Sequence, residues 1–151
     1  MDMSDCEMGV VMASWKVLME NPEETGKAVL GKFFEEHPQY VEYFNAFRGK
    51  TLAEIKQEPK FAFHAGKIVY AFDNAIKAAE ERGRDAILGK ASWDKLAKDH
   101  LERKIPKQAF KDLQTVMLNV IADVCNLNQF QRNAWEKLLK YLFGIITSIL
   151  N

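Results

Sequence analysis

The chain is predicted to be all-α, with about eight helices, on three observations. Apolar residues recur at helical spacing, prolines stand where those patterns open, and side-chain caps precede apolar runs. The spacing is clearest around two of the three histidines. Phe61, His64, Ala65, Ile68, Val69, Phe72 and Ile76 fall on one stripe, and Trp93, Leu96, Ala97, His100 and Leu101 on another. No segment alternates apolar and polar residues between Gly- or Asn-rich hairpin turns.

The elements follow in order. Ser4-x-x-Glu7 has the form of a capping box and opens a helix over 5–20. Asn21-Pro22-Glu23-Glu24 supplies an N-cap, a first-turn proline and two acids suited to the helix dipole, so the second helix runs over 22–36. Pro38 opens a short helix over 39–45, and Thr51-x-x-Glu54 caps another over 51–57. Pro59 opens a long helix over 59–81, after which Gly83 and Gly89 bracket a charged joint. The helix carrying His100 spans 91–103, Pro106 opens 106–125, and Asn128-x-x-Gln131 caps the last, over 129–150. With no repeat, linker or low-complexity tract, a single domain over 1–151 is expected, with more helices than an up-down four-helix bundle.

Composition narrows the function classes. Lys plus Arg number 21 and Asp plus Glu number 21, so no global field attracts nucleic acid or an anionic membrane. No apolar run reaches the ~18 residues of a membrane span; Leu142–Leu150 is short and suits a buried helix end. The acidic start Met1-Asp2-Met3-Ser4-Asp5-Cys6-Glu7 lacks the basic n-region of a secretory signal. Cys6 and Cys125 form neither a metal-binding spacing nor a disulfide framework, so a reducing cytoplasm is the expected setting.

A histidine on an apolar stripe needs a hydrogen-bond partner or a metal, because an unpaired buried polar group is costly. Two such residues on consecutive long helices suggest a planar, iron-bearing ligand held between them. At ~1.5 Å per residue the chain runs out roughly 25 Å from His64 and back roughly 14 Å to His100, and the joint between can stretch to make up the difference, which permits the two to meet. The bland alternative, two core histidines satisfied by backbone carbonyls, is equally compatible with spacing alone.

Longer motifs add to this. Pro38-Gln39-Tyr40-Val41-Glu42-Tyr43-Phe44-Asn45-Ala46-Phe47 is similar to the corner of a globin that lays a phenylalanine on the haem. Phe63-His64-Ala65-Gly66-Lys67-Ile68 resembles the distal helix. Leu96-Ala97-Lys98-Asp99-His100-Leu101-Glu102-Arg103-Lys104-Ile105-Pro106 resembles the proximal helix and the turn after it. Trp15 and Trp135 also fall where globins commonly carry tryptophan. The resemblance runs from about Val10 to Leu150 and is nearest to single-domain invertebrate globins of intracellular, arthropod-like type. Two departures stand out: the joint from Ala78 to Ser92 is longer than in vertebrate myoglobin, and Ala65 follows the distal histidine where many relatives carry glycine.

The resemblance implies a globin fold around haem b, with His100 as the proximal iron ligand. His64 would either donate a hydrogen bond to a bound gas or itself occupy the sixth position. Phe44 would pack on the haem plane with Phe47 buttressing it, and Lys67 would reach a propionate or lie on a solvated face. Leu30 and Ile68 would narrow the distal side; Leu96, Ile105, Phe110 and Leu113 would close the proximal side and floor; Leu142 or Phe143 would complete the wall. Gly26 matches the small residue that lets the second helix cross closely over the distal one. The implied function is reversible dioxygen binding for storage or facilitated diffusion, with carbon monoxide and nitric oxide as further ligands. The alternative is an enzyme, a nitric oxide dioxygenase or a peroxidase-like activity. A monomer or homodimer is expected, with neither nucleic acid nor membrane as partner.

Overall fold

The computed structural model describes residues 2–83 and 90–150. Seven α-helices lie among them: α1 (Asp5–Leu18), α2 (Pro22–Glu36), α3 (Leu52–Gln57), α4 (Pro59–Arg82), α5 (Lys90–Glu102), α6 (Lys107–Cys125) and α7 (Gln129–Ile149). A 3-10 helix, Pro38–Tyr43, lies between α2 and α3. The long helices pack in crossed pairs, α2 on α4, α6 on α7 and α5 on α7, with α1 laid across α6 and α7.

All three expected capping boxes form, at Ser4/Glu7, Thr51/Glu54 and Asn128/Gln131. Each satisfies two backbone donors that the helix itself leaves unpaired. Pro22, Pro38 and Pro59 sit in the first turn of their helices, where a missing N–H is harmless. Gly83 ends α4 at φ 99°, a conformation that glycine adopts without strain. Gly89, its expected counterpart, lies outside the described residues.

Several boundaries differ from the sequence reading by one or two residues, and three of them show the local structure responsible. α1 stops at Leu18 because the next amides tighten into 3-10 bonds, Glu20 to Val17 and Asn21 to Leu18, which frees Asn21 to cap α2. The segment expected as a helix over 39–45 is the 3-10 turn, and Phe44 already has extended backbone (φ −116°, ψ 102°). Pro106 is the N-cap of α6 rather than its first residue. The reversal before it is made at Lys104, a non-glycine residue at φ 59°.

The apolar interior falls into two clusters. One joins α1, α4, α6 and α7 around Trp15, Phe72, Trp135, Leu139 and Phe143. The other joins α2, the 3-10 segment, α3 and the start of α4 around Leu30, Phe33, Phe34, Phe47 and Phe61. Ile68, Ile105 and Leu113 pack against both. In the first cluster Trp135 donates its Nε1 proton to Ser14 Oγ (2.7 Å), and that hydroxyl donates to the Val10 carbonyl (2.8 Å). Trp15 stacks at a tilt on Trp135, 5.9 Å between centroids, and donates to Asp73 Oδ1 on α4 (3.0 Å). Both indole protons are therefore satisfied, which makes their burial favourable rather than costly.

The tightest helix crossing is that of α2 over α4. A Cβ built on Gly26 would lie 2.6 Å from the Ala65 carbonyl oxygen and 3.0 Å from Val69 Cγ2. Gly66 contributes nothing to this contact, since nothing lies within 4 Å of a Cβ placed there. Glycine is thus needed on α2, and alanine after His64 is no obstacle.

Two predictions follow from the packing. Gly26→Ala pushes backbone against backbone and costs about 1–3 kcal/mol, outweighing the gain of up to ~1 kcal/mol in helix propensity; Gly66→Ala keeps only the gain. Urea unfolding of the two variants should move in opposite directions, and equal shifts would contradict the crossing. The second concerns Glu7, which accepts from Ser4 N (3.0 Å) and pairs with Lys137 on α7 (2.8 Å). The hydrogen bond from Lys137, then that from Ser4, hold its pKa down from 4.5 to about 2. Stability from this clasp is therefore complete above pH ~4.5 and is lost as pH falls towards 2. Glu7→Gln should show a shallower acid dependence in that window by circular dichroism; an unchanged slope would remove the clasp from the acid response.

Candidate functional site

Between the two clusters lies a cavity of about 390 Å³, walled by α2, the 3-10 segment, α4, α5, α6 and α7. Phe72, Trp93, Phe110, Phe143 and Ile146 face it from the first cluster, and Leu30, Phe33, Tyr40 and Ala109 from the second. His64 on α4 and His100 on α5 both line it. Helical phase explains their placing. Phe61, Ala65, Val69 and Phe72 take the buried face of α4, leaving His64 and Ile68 half-buried at its cavity edge. On α5, Trp93 and Ala97 are buried and Leu96 and His100 half-buried.

The His100 ring is oriented by its own helix. Nδ1 lies 2.7 Å from the carbonyl oxygen of Leu96, one turn earlier. A carbonyl only accepts, so Nδ1 carries the proton and Nε2 keeps its lone pair. Phe110 stands edge-on to the ring, 5.0 Å between centroids, and limits its rotation. Burial lowers the His100 pKa, the Leu96 bond partly opposing it, so the neutral imidazole is favoured.

His64 is set differently. Among the described residues its ring has no hydrogen-bonding partner. Aromatic edges hold it instead: Phe44 at 5.3 Å, Phe63 at 5.8 Å and Phe47 at 6.0 Å. Its pKa is lowered by burial first, then by the charges of Lys67, Arg103, Lys60 and His100. The cavity therefore presents two neutral imidazoles on two different helices. One ring is locked by a carbonyl and the other is held only by packing.

Most of the residues expected around the ligand are brought together. Leu30, Phe44, Lys67, Ile68, Leu96, Ile105, Phe110 and Leu113 line the cavity with the two histidines. Phe47 does not: it is fully buried behind Phe44, stacked on it at 5.5 Å. Of the two alternatives on the last helix, Phe143 reaches the cavity, with Ile146, while Leu142 packs in the first cluster. About 100° of rotation separates neighbours on a helix, and Leu142 shares the face of Leu138, Leu139 and Trp135.

Several lining residues escaped the sequence reading. Lys95, Asp99 and Arg103 line the cavity with Lys67, all four exposed, giving its margin a cationic excess. The spacing of four residues from Lys95 to Asp99 on α5, and on to Arg103 just past its end, was the available signal. Tyr40 lines the cavity while its hydroxyl donates to Asp112 Oδ2 on α6 (2.6 Å). Burial first, then Asp112, push the phenol up to about 12. His37 is the C-cap of α2, with Nδ1 3.6 Å from Asp112 Oδ2. Nothing local links Tyr40 to a carboxylate 72 residues away.

The chemistry this permits is specific. Among the described residues no group of three or more His, Cys, Asp or Glu could hold a bare metal ion. A lone-pair nitrogen on an apolar wall suits a metal that arrives within a largely apolar organic ligand. The cationic rim suits a ligand with anionic substituents at one edge. Neither thiol lines the cavity; Cys6 is exposed, and burial raises the Cys125 pKa. No helix among the described residues is long and apolar enough to cross a membrane.

Comparisons with known proteins agree with this geometry. Residues 27–146 match the globin family. The chain is 27% identical over 142 residues to a globin of the mollusc Nerita albicilla, covering 93% of this chain and 88% of that one. It is 38% identical over 76 residues to extracellular globin-E1 of Artemia, spanning 50% of this chain and 39% of that protein. Among solved structures it superposes on the hexa-coordinate haemoglobin of Drosophila melanogaster with a TM-score of 0.86 at 32% identity, covering 95% of this chain and 93% of that one. A second Drosophila globin structure gives a TM-score of 0.88 at 30% identity. With that family match over most of its length, the chain belongs to the globin family.

Proposed function

We propose that this chain binds dioxygen reversibly through a non-covalently held haem b, in storage or facilitated diffusion. The observation that carries the reading is the His100 ring, tied at Nδ1 to Leu96 with Nε2 left as a lone-pair donor on the cavity. Haem, when bound, supplies a ferrous iron at which a diatomic gas coordinates reversibly. His100 Nε2 would be its axial nitrogen, and the Leu96 carbonyl would keep that ring in the required tautomer and raise its basicity. Leu96, Ile105, Phe110 and Leu113 would exclude water on one face, with Phe44 and Ile68 on the other. Lys95 and Arg103 would pair with the propionates. With no thiol on the cavity, a covalent attachment has no donor there.

His64 carries ligand selection. A neutral imidazole has one N–H to offer, and the aromatic edges around it leave that proton without a protein acceptor among the described residues. Donated to a bound gas carrying partial negative charge, it contributes ~1.5–3 kcal/mol, roughly tenfold to a hundredfold in affinity. Carbon monoxide, less polar when bound, gains less.

A second arrangement has a specific observation in its favour. The similar Drosophila haemoglobin is hexa-coordinate, and a neutral His64 without a hydrogen-bonding partner is equally able to ligate. External ligands would then have to displace it, and apparent affinity would fall by the fraction of open state.

Two experiments test these readings. Purified protein should take up one equivalent of haemin, and at haem a thousandfold above its Kd the fold should gain ~4 kcal/mol. His100→Ala should lose most of that gain and retain haem poorly, by calorimetry and Soret absorbance; undiminished retention would exclude His100 as the ligand. For His64, the reduced, gas-free spectrum decides. A five-coordinate, high-spin spectrum, with His64→Leu weakening dioxygen binding tenfold or more and sparing carbon monoxide, supports the donor role. A low-spin spectrum abolished in His64→Leu, with faster carbon monoxide binding, establishes ligation instead.

A further inference from the structure

Phe63 is the anomaly on α4: a phenylalanine 60% exposed, outside the cavity lining, on a helix whose other phenylalanines are buried. Its ring is nevertheless engaged twice. The Lys67 ammonium lies over it, 4.5 Å from the centroid, and it meets the His64 ring at 5.8 Å with 64° between planes. Lys67 is itself a lining residue, so its stem borders the cavity while its charged end rests on an external aromatic face. His64 is enclosed by Phe44 and Phe47 from the corner segment, and Phe63 is the exposed member of the three aromatic contacts. Two lining side chains, His64 and Lys67, thus share a single exposed support.

We propose that Phe63 is a positioning residue for the cavity entrance: by holding the Lys67 ammonium and the His64 ring together, it pins the passage closed and slows small ligands entering beside His64. The inference rests on the cavity being the haem and gas site. A cation over an exposed ring is a modest contact, so removing it should raise the open fraction only roughly twofold to fivefold. The sign is the same whether His64 is donor or ligand, because both require that ring to leave before a ligand enters. Truncating Phe63 has little bearing on folding, since most of its surface is already in solvent.

The test has two arms. In the haem-free protein, ring current from Phe63 should displace the Lys67 ε-methylene protons upfield in the NMR spectrum, and Phe63→Leu should abolish the displacement without lowering Tm. In the haem-loaded, reduced protein, flash photolysis should show carbon monoxide association faster by roughly twofold to fivefold in Phe63→Ala, and Phe63→Trp should restore the slow rate. Lys67→Met should reproduce part of the acceleration and add little on top of Phe63→Ala, because the two share one contact. Undisplaced lysine protons in the wild type, or an unchanged association rate in Phe63→Ala, overturns the proposal. Failure to take up haem with the NMR displacement intact would overturn the gas-binding function while leaving the Phe63–Lys67 contact standing.

Discussion

α2 and α4 meet backbone to backbone at Gly26 and Ala65, and the rest of the site hangs on that contact. Where two helices approach so closely, side chains on either side must diverge. Leu30, one turn along α2, and Ile68, just beyond on α4, diverge onto the cavity wall. The same approach fixes the phase of α4, so that Phe61, Ala65 and Val69 are buried and His64 falls at the cavity edge. A bulkier pair at the crossing would move His64 relative to α5, where His100 is held independently.

The interior is built around a gap rather than a single core. Two apolar clusters, each complete enough to bury tryptophan or several phenylalanines, share Ile68, Ile105, Leu113 and Val120 as flanking residues. In a globin such a lining packs on the cofactor, whose binding stabilises the fold by mass action. Polar contacts fasten elements to one another as well. Tyr40 to Asp112 fastens the corner segment to α6, and Trp15 to Asp73 fastens α1 to α4.

The two histidines illustrate how environment divides one residue type into two roles. Both are kept neutral, mainly by burial. The His100 ring is fixed by a covalently near carbonyl in its own helix, an arrangement available to any histidine with a free carbonyl one turn earlier. The His64 ring is held by aromatic edges from the corner segment and from its own helix. A ring fixed by a hydrogen bond suits a permanent ligand, and one held by packing suits a group that must move.

Much of this was legible in the residues. Capping boxes, first-turn prolines and apolar spacing act over three or four residues, which is why the helices begin where Ser4, Asn21, Thr51 and Asn128 place them. The hydrogen bond orienting His100 is likewise one turn long, and could be expected before any fold was known. What lay beyond reach is decided by contacts between distant segments. The left-handed turn at Lys104 has no glycine to announce it. Leu142 and Phe143 are equally apolar neighbours, and only the seating of α7 against Trp15 and α6 sends the second into the cavity. The Tyr40–Asp112 bond and the cationic rim depend on the same assembly. Helix identity and the candidate ligands are thus properties of short sequence. The walls of the cavity are properties of packing, because which face a helix turns inward is settled by what it meets.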